Sequence, residues 1–170
     1  MRIIGITGGV GAGKTKVLSY IEAHFSCRVI RADEAAHKLY EPGQVCYQKL
    51  VALLGQEILS ADNTIDKTKM AAVIFGDNAL LVEVNSIVHP EVKKYILEQI
   101  AFERERGVVA YFFIEAALLI EEHYDQIVDE MWYIHSDVAI REKRLVKSRK
   151  YSAQKIAEIM KGQLSEEEFR

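Results

Sequence analysis

The sequence predicts an α/β fold in which helices cover both faces of a parallel, four-stranded sheet in three layers. Three observations predict it. Short apolar runs alternate with stretches of helical periodicity, an order typical of parallel sheets. The first run ends at glycines and leads directly into a helical segment. No internal repeat or long linker divides the 170 residues, so we expect a single domain.

The first quarter of the chain predicts two strands and two helices. Arg2–Thr7 is short and β-rich and is cut by glycines, which indicates a buried strand. Lys14–His24 follows as a helix, and Cys27–Ala32 is the second short strand. Glu34–Tyr40 is predicted as a brief helix that ends at the turn signal Glu41-Pro42-Gly43.

The middle of the chain is predicted to be helical at about 44–54, 66–75 and 78–105. The last of these segments contains His89-Pro90. Proline lacks the backbone N–H and crowds the preceding turn, so we expect it to break or kink the helix there. Gly107 is the predicted stop.

The remaining elements alternate again between strand and helix. Val108–Ile114 is apolar, β-branched and aromatic, as a central strand would be, and Glu130–His135 is predicted as the fourth strand. Helices are expected over Val138–Lys147 and Ala153–Lys161, with a hinge at Ser148–Ser152.

Composition excludes several classes of protein. Hydrophobic residues make up 49% and charged residues 28%, and only 10 Gly and 2 Pro are present, which excludes collagen-like and low-complexity chains. No apolar run approaches the roughly 20 residues of a membrane helix. The net charge of −3 argues against general polyanion binding, so neither a nucleic acid nor a membrane is expected as a partner. Two cysteines without metal-like spacing suit a reducing cytoplasm.

The segment Gly8-Gly9-Val10-Gly11-Ala12-Gly13-Lys14-Thr15 fits the pattern G-x-x-x-x-G-K-[ST] at every fixed position, between a predicted strand and a predicted helix. Glycines let successive N–H groups turn toward phosphate oxygens, and the helix adds its positive N-terminal end. Lys14 is expected to reach the β- and γ-phosphates, and the Thr15 hydroxyl to bind Mg²⁺. The motif therefore predicts a nucleoside triphosphate site.

Other motifs narrow the class of triphosphate protein. The nearest match to a guanine-reading N-K-x-D element, Asp66-Lys67-Thr68-Lys69, lacks its Asn and final Asp, and an L-S-G-G-Q signature is absent from the sequence, which excludes a switch GTPase and an ABC-type ATPase. A small-molecule kinase needs an acid beside the acceptor, a helical insertion and an arginine-bearing lid. All three have candidates here.

The acid candidate is Asp33, which follows the second predicted strand and could deprotonate an acceptor hydroxyl. It could equally be only the N-cap of the helix after it. Glu115, at the end of the central strand, could hold Mg²⁺ through water or be a strand-end acid in solvent. His89, which precedes Pro90, is by itself better explained as a capping or packing histidine than as a catalyst.

The lid candidates are Arg141, Arg144 and Arg149, which lie in a basic stretch. Residues 137–161 carry eight basic and three acidic side chains. The arginines could neutralise charge on a transferring phosphoryl group, or the stretch could be a solvated basic face.

Patches across nearly the whole chain resemble the dephospho-coenzyme A kinase family. The phosphate loop with its Thr-Gly-Gly lead-in is one of them. The others are Ala32-Asp33-Glu34-Ala35-Ala36-His37, Glu41-Pro42-Gly43, Ile74-Phe75-Gly76-Asp77, Val88-His89-Pro90-Glu91-Val92, Ala117-Leu118-Leu119-Ile120-Glu121, Arg144-Leu145, Ser148-Arg149, Tyr151-Ser152 and Gln163. The combination with Asp33, Glu-Pro-Gly and His-Pro is far more specific than the loop alone.

The resemblance implies a P-loop kinase fold that uses ATP and Mg²⁺ to phosphorylate the ribose 3′-hydroxyl of dephospho-CoA, the last step of CoA biosynthesis. It implies that Asp33 is the base and that Arg144 and Arg149 clamp the transferring group. His89, Leu118, Leu119 and Arg141 would contact the acceptor. The phosphates would be held by Gly9, Val10, Gly11, Ala12, Gly13, Lys14, Thr15 and Lys16. One alternative is another small-molecule kinase of this fold, acting on a nucleoside, a nucleotide or shikimate. The other is a nucleotide-dependent binding or regulatory module without acceptor chemistry, against which only Asp33 and the lid arginines argue.

The resemblance also divides the single domain 1–170 by role. The core would comprise about 1–40 and 107–137, the acceptor-binding helices about 41–106 and the lid about 138–165. A monomer or weak homo-oligomer is expected.

The sequence departs from the family pattern at several positions: Arg31 replaces an acid, Ala117 a proline and Lys16 a Ser or Thr, and the spacing from Arg144 to Arg149 is one residue longer. The family would also continue for about thirty residues with a fifth strand and a closing helix, so the C-terminal end is expected to be missing.

Overall fold

The computed structural model describes residues 1–169. Within them one sheet is formed by four strands: β1 (Arg2–Thr7), β2 (Cys27–Arg31), β3 (Tyr111–Glu115) and β4 (Glu130–Tyr133). Their order across the sheet is β2-β3-β1-β4. β1 runs parallel to both of its neighbours, so that Ile6 is level with Glu115 on one side and with Trp132 on the other. The predicted α/β fold with a parallel four-stranded sheet is confirmed.

Helices connect the strands. In the described part of the chain they are α1 (Lys14–His24), α2 (Ala32–Leu39), α3 (Val45–Leu54), α4 (Lys67–Ile74), α5 (Asn78–Arg106), α6 (Val138–Arg149), α7 (Ala153–Lys161) and α8 (Glu166–Phe169). Short 3-10 helices occur at Gln56–Ile58 and Tyr124–Gln126. No helix among residues 1–169 is both long and apolar enough to cross a membrane.

The described chain forms two compact units. One contains residues 1–30 together with the chain from 106 onward, and so holds β1, β3, β4, α1, α6 and α7. The other contains residues 31–105, with α2, α3, α4 and nearly all of α5.

The first unit is organised around β1, whose residues alternate between the two faces of the sheet. On one face Ile4 and Ile6 pack with Leu18 and Ile21 of α1 and with Phe113 of β3. The other face belongs to the odd-numbered residues, and there Gly5 leaves room for two side chains. A Cβ at Gly5 would lie 3.3 Å from Leu119 and 3.4 Å from Val128. Burial on both faces explains why β1 reads as a continuous apolar run.

The second unit is built on α5. Its buried residues Val84, Val88, Val92, Ile96 and Ile100 recur every four positions and so form one apolar stripe along the helix. The Lys49 ammonium of α3 donates to Glu91 Oε1 of α5 at 2.8 Å, which ties the two helices together beside this stripe.

Of the break or kink expected at Pro90, the break is wrong: α5 continues through the proline. The apolar stripe buries residues on both sides of Pro90, and this packing outweighs the single lost backbone hydrogen bond. α2 begins at Ala32 with Arg31 as its N-cap, so Asp33 lies inside the first turn and is not the capping residue. The alternative explanation of Asp33 as a helix cap is thereby removed.

Candidate functional site

The glycine-rich segment forms a tight loop between the last residue of β1 and the first residue of α1. Gly8, Gly11 and Gly13 have φ values of 144°, 77° and 108°, a region that residues with a Cβ rarely adopt. Gly13 is also the N-cap of α1 and provides no side-chain bond to the first turn. Because no side chain caps this helix end, an anion bound there could accept from N–H groups of the first turn and would meet the positive end of the helix dipole.

Close packing explains two of the glycines. A Cβ at Gly8 would lie 2.5 Å from the carbonyl oxygen of Ile134, and one at Gly9 would collide with the guanidinium of Arg141. The chain just after β4 and the start of α6 thus press directly against the loop.

Lys14 lies between the loop backbone and the end of β3. Its Nζ donates to the carbonyl oxygen of Gly8 at 2.6 Å and is 3.8 Å from Glu115 Oε1. Both side chains are largely buried, with 14% and 21% of their surface exposed. A cation held at this position can neutralise phosphate charge, and Glu115 ends the strand beside β1, as predicted.

Two arginines of α6 hold successive carbonyl oxygens of the loop. Arg141 Nε donates to Val10 at 2.8 Å. One turn later, Arg144 donates to Gly11 at 3.2 Å and to Ala12 at 2.9 Å. Because these carbonyls point toward α6, the basic stretch is not merely a solvated face at these two positions.

Gln163 is a residue of this site that the sequence reasoning did not include among the candidates. Its Oε1 accepts from the Val10 N–H at 3.0 Å and from Arg141 at 2.9 Å. It lies 153 positions from Val10, so no local pattern could reveal the contact. Its only signal was its place among the family-like patches.

The structure leaves other predicted residues of this unit outside these contacts. Thr15 and Lys16 are exposed in the first turn of α1. The Arg149 guanidinium lies over the Tyr151 ring, 5.9 Å from its centre. Leu119 is fully buried in the core beneath Gly5, whereas Leu118 has 40% of its surface exposed.

In the second unit, Asp33 is exposed in the first turn of α2 and His89 is half-buried in α5. Near Asp33, burial raises the pKa of Tyr40 to about 12, with smaller contributions from Cys46 and Asp33. Burial, together with Lys67, lowers the pKa of His37. Tyr40 is therefore a stable hydrogen-bond donor at neutral pH.

Comparison with known proteins decides the family. The family model described as CoaE, dephospho-CoA kinase, matches residues 2–170. The chain belongs to the dephospho-CoA kinase family. A dephospho-CoA kinase from Carboxydothermus hydrogenoformans is 33% identical over 98% of this chain and 80% of its own length. One from Listeria monocytogenes is 36% identical over 85% of this chain and 72% of its own length.

Two solved structures share the fold. TT1252 from Thermus thermophilus superposes with a TM-score of 0.81 over 98% of this chain and 82% of its own, at 24% identity. Dephospho-CoA kinase from Campylobacter jejuni gives a TM-score of 0.59 over 94% of this chain and 78% of its own, at 18% identity.

Membership of the dephospho-CoA kinase family makes the chain an enzyme, a transferase of CoA biosynthesis that phosphorylates dephospho-CoA to CoA. A kinase family implies ATP as the cosubstrate and a small molecule as the acceptor. The expected ATP cosubstrate and the expected small-molecule acceptor are thereby confirmed.

Proposed function

We propose that this chain transfers the γ-phosphoryl group of ATP to the ribose 3′-hydroxyl of dephospho-CoA, with the loop of residues 8–15 as its phosphate site. The observation that carries the proposal is the shape of that loop. It ends at the N-terminus of α1 without a capping side chain, and it bears the Lys14 ammonium between Gly8 and Glu115. Such a loop offers converging N–H groups and a cation, which is what a triphosphate requires.

The loop residues have distinct proposed roles. The backbone from Gly9 to Lys16 surrounds the phosphates. The N–H groups of Val10, Ala12 and Lys16 already bond within the protein, so the other N–H groups of the segment would contact the phosphates, and Lys14 neutralises charge on the β- and γ-phosphates. Arg144 and Arg149 together stabilise the phosphoryl group during transfer. Arg149 would have to move away from the Tyr151 ring to reach that group. The support for Arg144 is its contact with the loop at Gly11 and Ala12.

Asp33 is the proposed base for the acceptor hydroxyl. Its side chain is exposed, it follows the carboxyl end of β2 by two residues, and it has no capping role in α2. A carboxylate that accepts the hydroxyl proton makes the oxygen a better nucleophile for in-line attack on the γ-phosphorus. The phosphoryl group then passes directly to the acceptor, and ADP leaves without a covalent enzyme intermediate.

Mg²⁺ is the proposed metal partner of ATP. The Thr15 hydroxyl and the Glu115 carboxylate are oxygen ligands of the kind that Mg²⁺ prefers. Thr15 follows Lys14 in the sequence, and Glu115 Oε1 lies 3.8 Å from Lys14 Nζ, so these residues fit a Mg²⁺ ion. When bound, the ion would neutralise charge on the phosphate oxygens. Among residues 1–169 there is no cluster of three or more His, Cys, Asp or Glu suited to a metal.

The remaining assignments follow the sequence prediction. The helices of 41–106, with His89, and the segment with Leu118, Leu119 and Arg141 would bind the acceptor, and 138–165 would close as a lid over the core of 1–40 and 107–137. A cytoplasmic monomer or weak homo-oligomer, without nucleic-acid or membrane partners, completes the proposal.

An acceptor panel tests the proposed function. The purified chain is incubated with ATP, Mg²⁺ and, separately, dephospho-CoA, a nucleoside, AMP or shikimate, and ADP release is followed by a coupled assay. We expect turnover with dephospho-CoA alone, with the phosphate on the 3′ oxygen by ³¹P NMR of the product. Faster turnover with another acceptor would replace the proposal with a different small-molecule kinase.

Lys14→Ala tests whether the loop carries the reaction. Loss of the cation should nearly abolish turnover, because a phosphate-bound charge would be left uncompensated in a largely buried site. Lys143→Ala, which removes a charge from an exposed position of α6, is the matched control and should turn over normally. Near-normal rates for Lys14→Ala would contradict the assignment.

A further inference from the structure

Two side chains from distant parts of the chain bond the backbone of Val10, one at its N–H and the other at its carbonyl. The Val10 N–H donates to Gln163 Oε1 at 3.0 Å, and the Val10 carbonyl accepts from Arg141 Nε at 2.8 Å. The second nitrogen of Arg141 donates to the same Gln163 oxygen at 2.9 Å. The three hydrogen bonds close a ring that contains only these three residues.

This ring joins three segments of the first unit. Val10 is in the loop, Arg141 is in the first turns of α6, and Gln163 follows the end of α7 by two residues. All three bonds are partly buried, where water competes less for the donors. Gly9 contributes by lacking a Cβ, which leaves the guanidinium space against the backbone.

The ring continues along α6 into the contacts of Arg144. Arg141 and Arg144 are one turn apart, and they bind the carbonyls of three consecutive loop residues, Val10, Gly11 and Ala12. In a loop that binds anions the N–H groups converge on the ligand while the carbonyls turn away. Donors that fix the carbonyls from outside therefore favour that loop shape before a phosphate arrives.

We propose that Gln163 and Arg141 act as a pair of positioning residues that hold the loop at Val10 in its phosphate-binding shape and link it to α6 and α7. The inference rests on the proposed function, since it assumes that the loop binds the phosphates of ATP. Gln163 is the more informative member because it is uncharged. An effect of its removal on nucleotide binding cannot come from lost attraction between its own charge and a phosphate.

The test measures ATP binding by titration calorimetry in the absence of any acceptor, with Mg²⁺ present. The variants are Gln163→Ala, Arg141→Ala and the double variant. Gln154→Ala is the matched control, because within residues 1–169 its side chain bonds Glu158, on the exposed side of α7. Circular dichroism checks that each variant is folded at the temperature of the titration.

We expect each single variant to raise the Kd for ATP about tenfold, as the loss of one or two partly buried hydrogen bonds implies. The double variant should have about the same Kd for ATP as whichever single variant binds ATP less tightly, since either change opens the same ring. In turnover assays with dephospho-CoA, the KM for ATP should rise while kcat at saturating ATP stays within about threefold of wild type for Gln163→Ala. Gln154→Ala should bind ATP like wild type.

Several results would overturn the inference. An unchanged Kd in folded Gln163→Ala would show that the contact serves stability alone, and multiplying effects in the double variant would show that the two residues act separately. Failure of the proposed function is visible elsewhere: the wild-type chain would bind ATP with the predicted dependence on Gln163 yet phosphorylate none of the acceptors.

Discussion

The Arg144 guanidinium donates to the carbonyl oxygen of Ala12 at 2.9 Å, directly beside the residue that caps α1. The same nitrogen is 3.3 Å from the Ser136 hydroxyl, so the side chain is fixed between the end of β4 and the loop. By contrast, Arg149 stacks on Tyr151 at the far end of α6. The two lid candidates therefore differ in their contacts, because Arg144 bonds the loop and Arg149 lies over an aromatic ring.

Substitution of the two arginines should separate their roles. We expect Arg144→Ala to lower kcat/KM by about 10²-fold or more, because the proposed donor to the phosphoryl group is lost together with its bonds to the loop carbonyls, and Arg149→Ala to have a smaller effect. Steady-state kinetics with dephospho-CoA measure both. Lys147→Ala, an exposed basic residue on the same helix, controls for charge and should be neutral. A larger loss for Arg149→Ala than for Arg144→Ala would reverse the assignment.

Asp33→Asn should separate proton abstraction from nucleotide binding. The amide keeps the size of the side chain but cannot accept the hydroxyl proton, so kcat should fall by about 10²–10⁴-fold while the Kd for ATP stays near that of wild type. Glu34→Gln, the next residue in the same exposed turn, is the control and should keep most activity. If ATP binding fell as far as the rate, Asp33 would have a binding role instead.

Local signals in the sequence were sufficient for much of the fold. α1 and α7 have the predicted bounds. The Ser152 hydroxyl marks the start of α7, where it accepts from the Lys155 N–H, and Gly162 follows its last residue. The loop was also predictable, since its pattern and its neighbours agree. These features depend on residues a few positions apart, which one sequence displays directly.

Longer-range features could not be predicted in this way. β3 starts at Tyr111 and not at Val108, although Ala110 just before it still bonds Ser26 through its N–H and Arg2 through its carbonyl. The contact of Gln163 with Val10 depends on how α6 and α7 fold back onto the loop. Neither composition nor spacing encodes such tertiary contacts.

The Asp62 carboxylate should make the stability of one turn in the second unit sensitive to acid. Hydrogen bonds from Ser60 and Thr64 lower the pKa of its carboxyl from 3.8 to about 2. A carboxyl whose pKa is lower in the folded than in the unfolded state stabilises the fold above the unfolded value, and this contribution is lost as the pH falls from about 4 toward 2.

Thermal unfolding of wild type and Asp62→Asn between pH 2 and pH 6 tests this sign. The variant should be less stable at pH 6, and the gap should narrow as the pH approaches 2, because the wild-type carboxyl then becomes protonated and, like the amide, carries no charge. Glu57→Gln removes a carboxylate outside this turn and serves as the control. A gap that stays constant over this pH range would refute the assigned cause.

Because Gly8 lies close to Ile134, a methyl group added at Gly8 should lower the stability of the fold strongly. The steric part of this loss can be separated from the backbone part by a control. Gly8 has φ 144° and its Cβ would lie 2.5 Å from a backbone oxygen, which cannot rotate away. Gly43 has φ 90° but nothing within 4 Å of a Cβ, so alanine there meets only the conformational penalty. Gly43→Ala is thus the matched control for the backbone term.

We expect Gly8→Ala to lower the free energy of unfolding by about 3 kcal/mol or more, from the strained backbone and the displaced strand end together. Gly43→Ala should cost about 1 kcal/mol. Urea unfolding followed by circular dichroism gives both values, and ATP titration of the folded Gly8→Ala variant should show weaker binding because the loop must shift. Equal losses for the two variants would mean that β4 can move aside at no cost, and that its packing against the loop does not hold the phosphate site in shape.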